Sequence, residues 1–172
     1  KGIVMYELKV SVKKVMGECT ANPPMKPGDH FLVSDGDIRI PEGGSFCLFA
    51  MQNIFPLLAA KEREVSEKKE DDWMWRVHHV QCPDPEGRVM FKIERTDKIE
   101  KHSKGHPVVH TKPNSPPKSE NVPPSENHRD FQIEVESIDG RCSSKMKLGN
   151  MFTLSDGQLH IPSGCHFCLY AL

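Results

Sequence analysis

Gly28-Asp29-His30-Phe31-Leu32-Val33-Ser34-Asp35-Gly36-Asp37-Ile38-Arg39-Ile40-Pro41 holds two short apolar runs around a Ser-Asp-Gly-Asp turn signal, the pattern of a tight β-hairpin. The pattern returns without a gap at Gly149-Asn150-Met151-Phe152-Thr153-Leu154-Ser155-Asp156-Gly157-Gln158-Leu159-His160-Ile161-Pro162. Both stretches then reach Phe-Cys-Leu-aromatic-Ala, at residues 46–50 and 167–171, and Gly17-Glu18-Cys19 is answered by Gly140-Arg141-Cys142. Turn glycines, apolar positions and a cysteine all in register predict a duplicated unit. The expected organisation is a first repeat unit at 1–97, a Pro-rich linker at 98–129 and a partial second unit at 130–172.

Upstream of the first hairpin, Tyr6, Leu8, Val10 and Val12 alternate with polar residues, which predicts a strand with one wet face. Asn22-Pro23-Pro24 and Lys26-Pro27-Gly28 then break the ladder. Downstream, Phe46, Phe49, Ala50, Ile54, Leu57, Leu58 and Val65 fall at helical spacing, with Ser45 as the expected N-cap and a kink expected at Pro56. The charged run from Lys61 to Asp72 predicts a solvated helix end or loop. Trp73–Gln81 and Arg88–Arg95 flank Cys82-Pro83-Asp84-Pro85-Glu86-Gly87 and predict a closing hairpin. The predicted class is α+β, a tandem duplicated unit with a small, mainly antiparallel sheet packed by one helix per repeat. The second copy stops where its helix would begin, so either the unit is trimmed or incomplete, or another part of the chain, a protein partner or a homo-oligomer completes it.

The 172 residues, 37% of them hydrophobic, fit one ordinary domain or two small ones and exclude a large multidomain enzyme. With 23 basic and 24 acidic residues the formal charge is −1, which leaves no field to hold nucleic acid or an anionic membrane. No apolar run is long enough to span a bilayer and no signal-peptide core opens the chain, so a cytoplasmic protein is expected. The linker histidines His102, His106, His110 and His128 are expected to be solvated rather than metal-bound. Trp73 and Trp75 share one strand face, as core, interface or stacking platform. There is no phosphate loop, no Gly-x-Ser-x-Gly and no His-Glu-x-x-His in the chain.

Six cysteines remain: Cys19, Cys47, Cys82, Cys142, Cys165 and Cys168. In a reducing compartment they are thiols or metal ligands rather than a disulfide framework. Cys19 with Cys142 and Cys47 with Cys168 occupy matching positions, while Asp29 is answered by Asn150 and Glu42 by Ser163. Cys19, Cys47 and Cys82 fall at ends of elements and, with His78 or His79, form a candidate site for zinc or an iron-sulfur cluster. Cys142 and Cys168 are the candidate ligands in the second unit. A helix start at Cys47 would favour a thiolate through the helix dipole, and Cys165-His166-Phe167-Cys168 would place two sulfurs one helical turn apart. The competing reading is small buried thiols without chemistry.

With Cys19, Gly28-Asp29-x-Phe31, Ile40-Pro41-x-Gly, Cys47-x-x-Ala50, Cys82-Pro83-Asp84-Pro85-Glu86 and Val89-x-Phe91-x-Ile93-Glu94-Arg95, the first unit resembles a serially named family of small single-domain proteins. These come from anaerobic bacteria and archaea and have no established function. The resemblance covers Tyr6–Thr96 and, in part, Phe131–Leu172. It implies cysteines at the places of Cys19, Cys47 and Cys82 and a reducing cytoplasm in which metal-thiolate sites are feasible.

Three functional classes therefore stand at this point. One is an accessory or binding module whose cysteines ligate zinc or an iron-sulfur cluster. The others are a thiol-dependent redox enzyme and a protein-interaction scaffold with purely structural cysteines and no cofactor.

Overall fold

A computed structural model describes residues 4–63, 77–101, 130–138, 142 and 144–171. In chain order the elements are β1 (Val4–Val15), β2 (His30–Ser34), β3 (Asp37–Arg39), β4 (Phe46–Cys47), α1 (Leu48–Glu62), β5 (His79–Gln81) and β6 (Val89–Lys101). They continue as β7 (Phe131–Glu134), β8 (Met151–Ser155), β9 (Gln158–His160), β10 (Phe167–Cys168) and a single 3-10 turn at Leu169–Ala171. Every pairing among these strands is antiparallel, and the fold is α+β. The predicted β1, β2–β3 hairpin and β5–β6 hairpin all form. Trp73, Trp75, Val65 and the linker residues 102–129 lie outside the described residues.

Two sheets are built, one in the order β10-β3-β2-β1-β6-β5 and one in the order β4-β9-β8-β7. Each hairpin turn carries two residues with positive φ, Asp35 (53°) and Gly36 (81°) in one and Asp156 (49°) and Gly157 (72°) in the other. This is the geometry that matches the right-handed twist of flanking strands and needs a glycine or a small polar residue. The two matched stretches then exchange edges. Strand β4 leaves its own sheet to pair with β9, Phe46 opposite Leu159, and β10 pairs with β3, Phe167 opposite Ile38. Nothing in the hydrophobic pattern specified that exchange, because strand pairing joins backbone groups that every residue carries.

Leu8, Val10, Val12, Phe31, Val33, Ile38 and Phe91 form the buried face of the larger sheet, with Ala50, Met51, Ile54 and Leu58 of α1 in the same core. Phe46 meets Phe31 edge-on at 4.7 Å, and Phe167 meets Phe152 edge-on at 4.6 Å. Such pairs add about 1 kcal/mol each beyond their area burial. The helix differs from its sequence reading in three ways. It begins at Leu48, so Phe46 is a strand residue; Cys47, not Ser45, is the N-cap; and Phe49 is 60% exposed. Pro56 lies inside the helix on its exposed side, near exposed Gln52, whose carbonyl it leaves without a helical donor.

At the start of the charged run, Lys61 and Glu62 are buried rather than solvated and Arg63 is exposed; residues 64–72 lie outside the described residues. Arg95 closes the backbone at this end. Its guanidinium donates to the Lys61 carbonyl at 2.9 and 3.1 Å and to the Arg63 carbonyl at 2.7 Å, covering orphaned helix carbonyls while lying 3.9 Å over the Tyr6 ring. Glu62 reaches the other way, accepting the Gly36 N–H at 3.2 Å through Oε1. Its Oε2 has no hydrogen-bond partner among the described residues. Burial raises this carboxyl to about 7, Asp35 pushes in the same direction, and the Gly36 and Asp35 amides and Arg63 oppose the rise. No helix among the described residues is long and apolar enough to cross a membrane.

A carboxyl raised in the folded state holds a proton that the unfolded chain releases near pH 4.5. Its contribution is complete below that pH and is lost as the pH climbs through about 7. Glu62→Gln should therefore gain on the wild type by on the order of 2 kcal/mol between pH 5 and pH 8. Urea unfolding of both proteins across that range measures this, and parallel pH profiles would refute the assignment.

Candidate functional site

The site is assembled by a close approach of two loops. Gly17 donates its N–H to the Gly87 carbonyl and Glu18 to the Glu86 carbonyl, each at 3.1 Å, so the chain leaving β1 lies along the β5–β6 turn. A Cβ added at Gly17 would stand 1.8 Å from the Glu86 carbonyl oxygen, and one at Gly87 would stand 3.3 Å from Cys19 Cα. Only glycine permits the approach that carries Cys19 to this turn. Cys82 donates its own N–H to the Val89 carbonyl at 2.8 Å, which fixes the mouth of the same turn. Asn53 of α1 donates to the Gln81 carbonyl at 3.1 Å and ties the helix to β5 beside it.

Cys19, Cys47 and Cys82 lie in one electrostatic neighbourhood. Cys47 and Cys82 are buried and Cys19 is half-buried. Burial pushes the Cys47 thiol up, with Cys19 and Asp84 adding to the rise, while the Ala50 and Phe49 amides at the helix start pull it down. Burial likewise raises Cys82, joined by Cys47, Asp84 and Cys19 and opposed by the Asp84 amide. The dipole argument from sequence therefore gave the wrong sign for Cys47. Desolvating a thiolate at the base of a packed helix outweighs the two amides that face it.

Asp84 is the residue that sequence reasoning missed. Its carboxylate accepts from the Glu86 amide at 3.0 Å and the Thr20 hydroxyl at 3.2 Å. The Glu86 amide first, then the Gly87 amide and Thr20, hold it below the usual carboxylate range. The available signal was the Pro-Asp-Pro-Glu-Gly turn itself, since an aspartate there bonds its own following amides. His78 and His79, the expected fourth ligands, go elsewhere: His79 is exposed on β5, and His78 lines a separate cavity with Lys61, Lys92 and Arg95. Burial and the cations Lys61, His79 and Lys92 lower His78.

In the second stretch, Cys142 lies 3.2 Å from the Ser144 hydroxyl. Cys168 is buried on β10 and Cys165 is half-buried in the turn before it. The expected helical turn between Cys165 and Cys168 does not form, because β3 recruits Phe167 and Cys168 as a strand. All six cysteines are free thiols. Among the described residues no group of three or more His, Cys, Asp or Glu side chains is arranged to hold a metal ion. Comparison with known proteins finds no family model, no curated sequence and no solved structure that matches the chain.

Gly17→Ala should cost about 2–4 kcal/mol, since a methyl group cannot enter 1.8 Å from a carbonyl without moving one loop; chemical denaturation measures the loss, and a cost below 1 kcal/mol would sink the close-approach argument. In the native protein, Cys47 and Cys82 should alkylate more slowly than free thiol at every pH from 7 to 9. Peptide mapping after timed alkylation gives the order, and fast labelling at either position would contradict the burial argument.

Proposed function

We propose that this chain is a duplicated, non-catalytic binding module of the reducing cytoplasm in which Cys19, Cys47 and Cys82 form a thiolate site for zinc or an iron-sulfur cluster. The observation that carries the reading is the convergence of three cysteines from three separate elements: the loop after β1, the start of α1 and the β5–β6 turn. Small buried thiols serving only as filler have no reason to arrive together with amides directed at two of the sulfurs. Amides directed at sulfur favour the anion, and burial opposes it. A bound divalent metal tips that balance, because a coordinating thiol is deprotonated outright.

The donor chemistry fits a soft metal, with three sulfurs and the Asp84 carboxylate acting on two of them. Cys19, Cys47 and Cys82 would hold the metal, and the metal would supply a structural clamp or an electron-transfer centre. Cys142 and Cys168 are the equivalent positions in the second unit by sequence.

Protein purified without oxygen should contain stoichiometric zinc, or iron with acid-labile sulfide. Cys47→Ser and Cys82→Ser should abolish it, and Cys165→Ser should leave it unchanged. Folded, metal-free protein whose melting temperature ignores added zinc would refute the reading.

A further inference from the structure

The exchange of edges between residues 28–50 and 149–171 is reciprocal in its strand pairing and its turn contacts. Phe46 faces Leu159, and in return Phe167 faces Ile38. Leu48 donates its N–H to the Gly157 carbonyl at 2.8 Å, and Leu169 donates to the Gly36 carbonyl at 2.8 Å. The Ser45 hydroxyl bonds Gln158 at 2.8 Å, and His166, at the position matching Ser45, lies 3.8 Å from Asp37, at the position matching Gln158. Finally, Ser163 donates to Glu42 at 3.2 Å. Positions 42 and 163 match one another in sequence, and a position meets its own counterpart only on a two-fold axis.

We infer that the face made by the Asp35–Gly36 turn, the β3 edge and β4 is self-complementary, and that residues 149–171 hold on it the place of a second copy of residues 28–50. The partner this face fits is therefore another molecule of the same chain. Seating residues 28–50 there would keep the backbone pairing and both carbonyl caps, with Ile38 in place of Leu159 and Phe46 in place of Phe167. The polar changes would be Ser45 against Asp37, a hydroxyl beside a carboxylate, Asp37 in place of Gln158 near the Pro23 carbonyl, which loses its donor, and Glu42 against Glu42 at the exposed axis.

The intrachain arrangement prevails because of what the second stretch adds. Gln158 donates to the Pro23 carbonyl at 2.9 Å as well as accepting from Ser45, and His166 stands between Asp37 and the Ser144 carbonyl. Tethering in one chain raises the local concentration of the second stretch above any free copy. Displacement of residues 149–171 uncovers the face and turns the monomer into a symmetric dimer. This inference is independent of whether a metal is bound.

The test uses the full chain carrying Leu159→Asp and Phe167→Asp, which disables the second stretch and leaves the first intact. Light scattering after size exclusion should read a dimer where the unaltered chain reads a monomer. Adding Glu42→Cys should give a disulfide from position 42 of one chain to position 42 of the other, mapped by mass spectrometry. A helical, monomeric variant overturns the inference. Should the variant lose its circular dichroism, a chain with Glu42→Cys and Ser163→Cys keeps the question open to measurement. Refolded and oxidised at rising concentration, it should change from intrachain 42–163 links to interchain 42–42 links; interchain 42–163 links, which mark exchange of residues 149–171 between chains, or intrachain links alone at every concentration, overturn the proposal.

Discussion

The Leu48 N–H and the Gly157 carbonyl form the hydrogen bond on which the arrangement around α1 depends. A helix starts with amides that no helical carbonyl can take, and Cys47, as N-cap, supplies no side-chain capping bond. The first of those amides is satisfied from outside, by the turn glycine of the other matched stretch. To reach it, Phe46 and Cys47 must run as a strand beside β9, which seats the Phe46 ring against Phe31 and Phe91. One backbone requirement thus fixes the helix origin, the exchange of edges and the depth of Cys47 together.

That depth governs the chemistry available to the thiols. At the first turn of an exposed helix, Cys47 would be an activated nucleophile. Beneath α1 and beside Cys19, Cys82 and Asp84, it is held protonated by desolvation and by like charge. A group so placed is a poor free nucleophile, because attack needs the thiolate that burial disfavours. The same physics acts at the other end of the helix. Glu62 is held near neutrality by burial while still accepting the Gly36 N–H, and the Gly36 carbonyl in turn holds Leu169. The two ends of α1 are therefore both tied to hairpin turns, one from each matched stretch.

Several elements were legible from local pattern alone. Alternation placed β1, the Ser-Asp-Gly-Asp signal placed β2 and β3, and the turn around Cys82 placed β5 against β6. The helix was legible only in its middle. Phe46 and Phe49 matched helical spacing, yet one joined a strand and the other stayed exposed, since spacing records which residues share a face and not what covers that face. Lys61 and Glu62 looked solvated because charged residues are seldom buried without partners. The Gly36 turn that Glu62 meets, and Arg95, which bonds the Lys61 carbonyl while its charge opposes the Lys61 ammonium, are distant in the chain. Of the candidate site, the three cysteines were named from sequence, whereas Asp84 was not, and His78 was assigned to a neighbourhood it does not enter.

The sequence by itself determined the hairpins, the apolar faces, the in-register match of the two stretches and the positions of the cysteines. These follow from side-chain type and local backbone preference, which each segment carries with it. Only the tertiary structure decided that β4 and β10 would trade sheets, that the loop carrying Cys19 would lie along the β5–β6 turn at Gly17 and Gly87, and that Cys47 would be pushed up rather than down. Strand pairing joins backbone groups common to all residues, and burial is a property of everything packed around an atom. Neither quantity is carried by the residues that it affects.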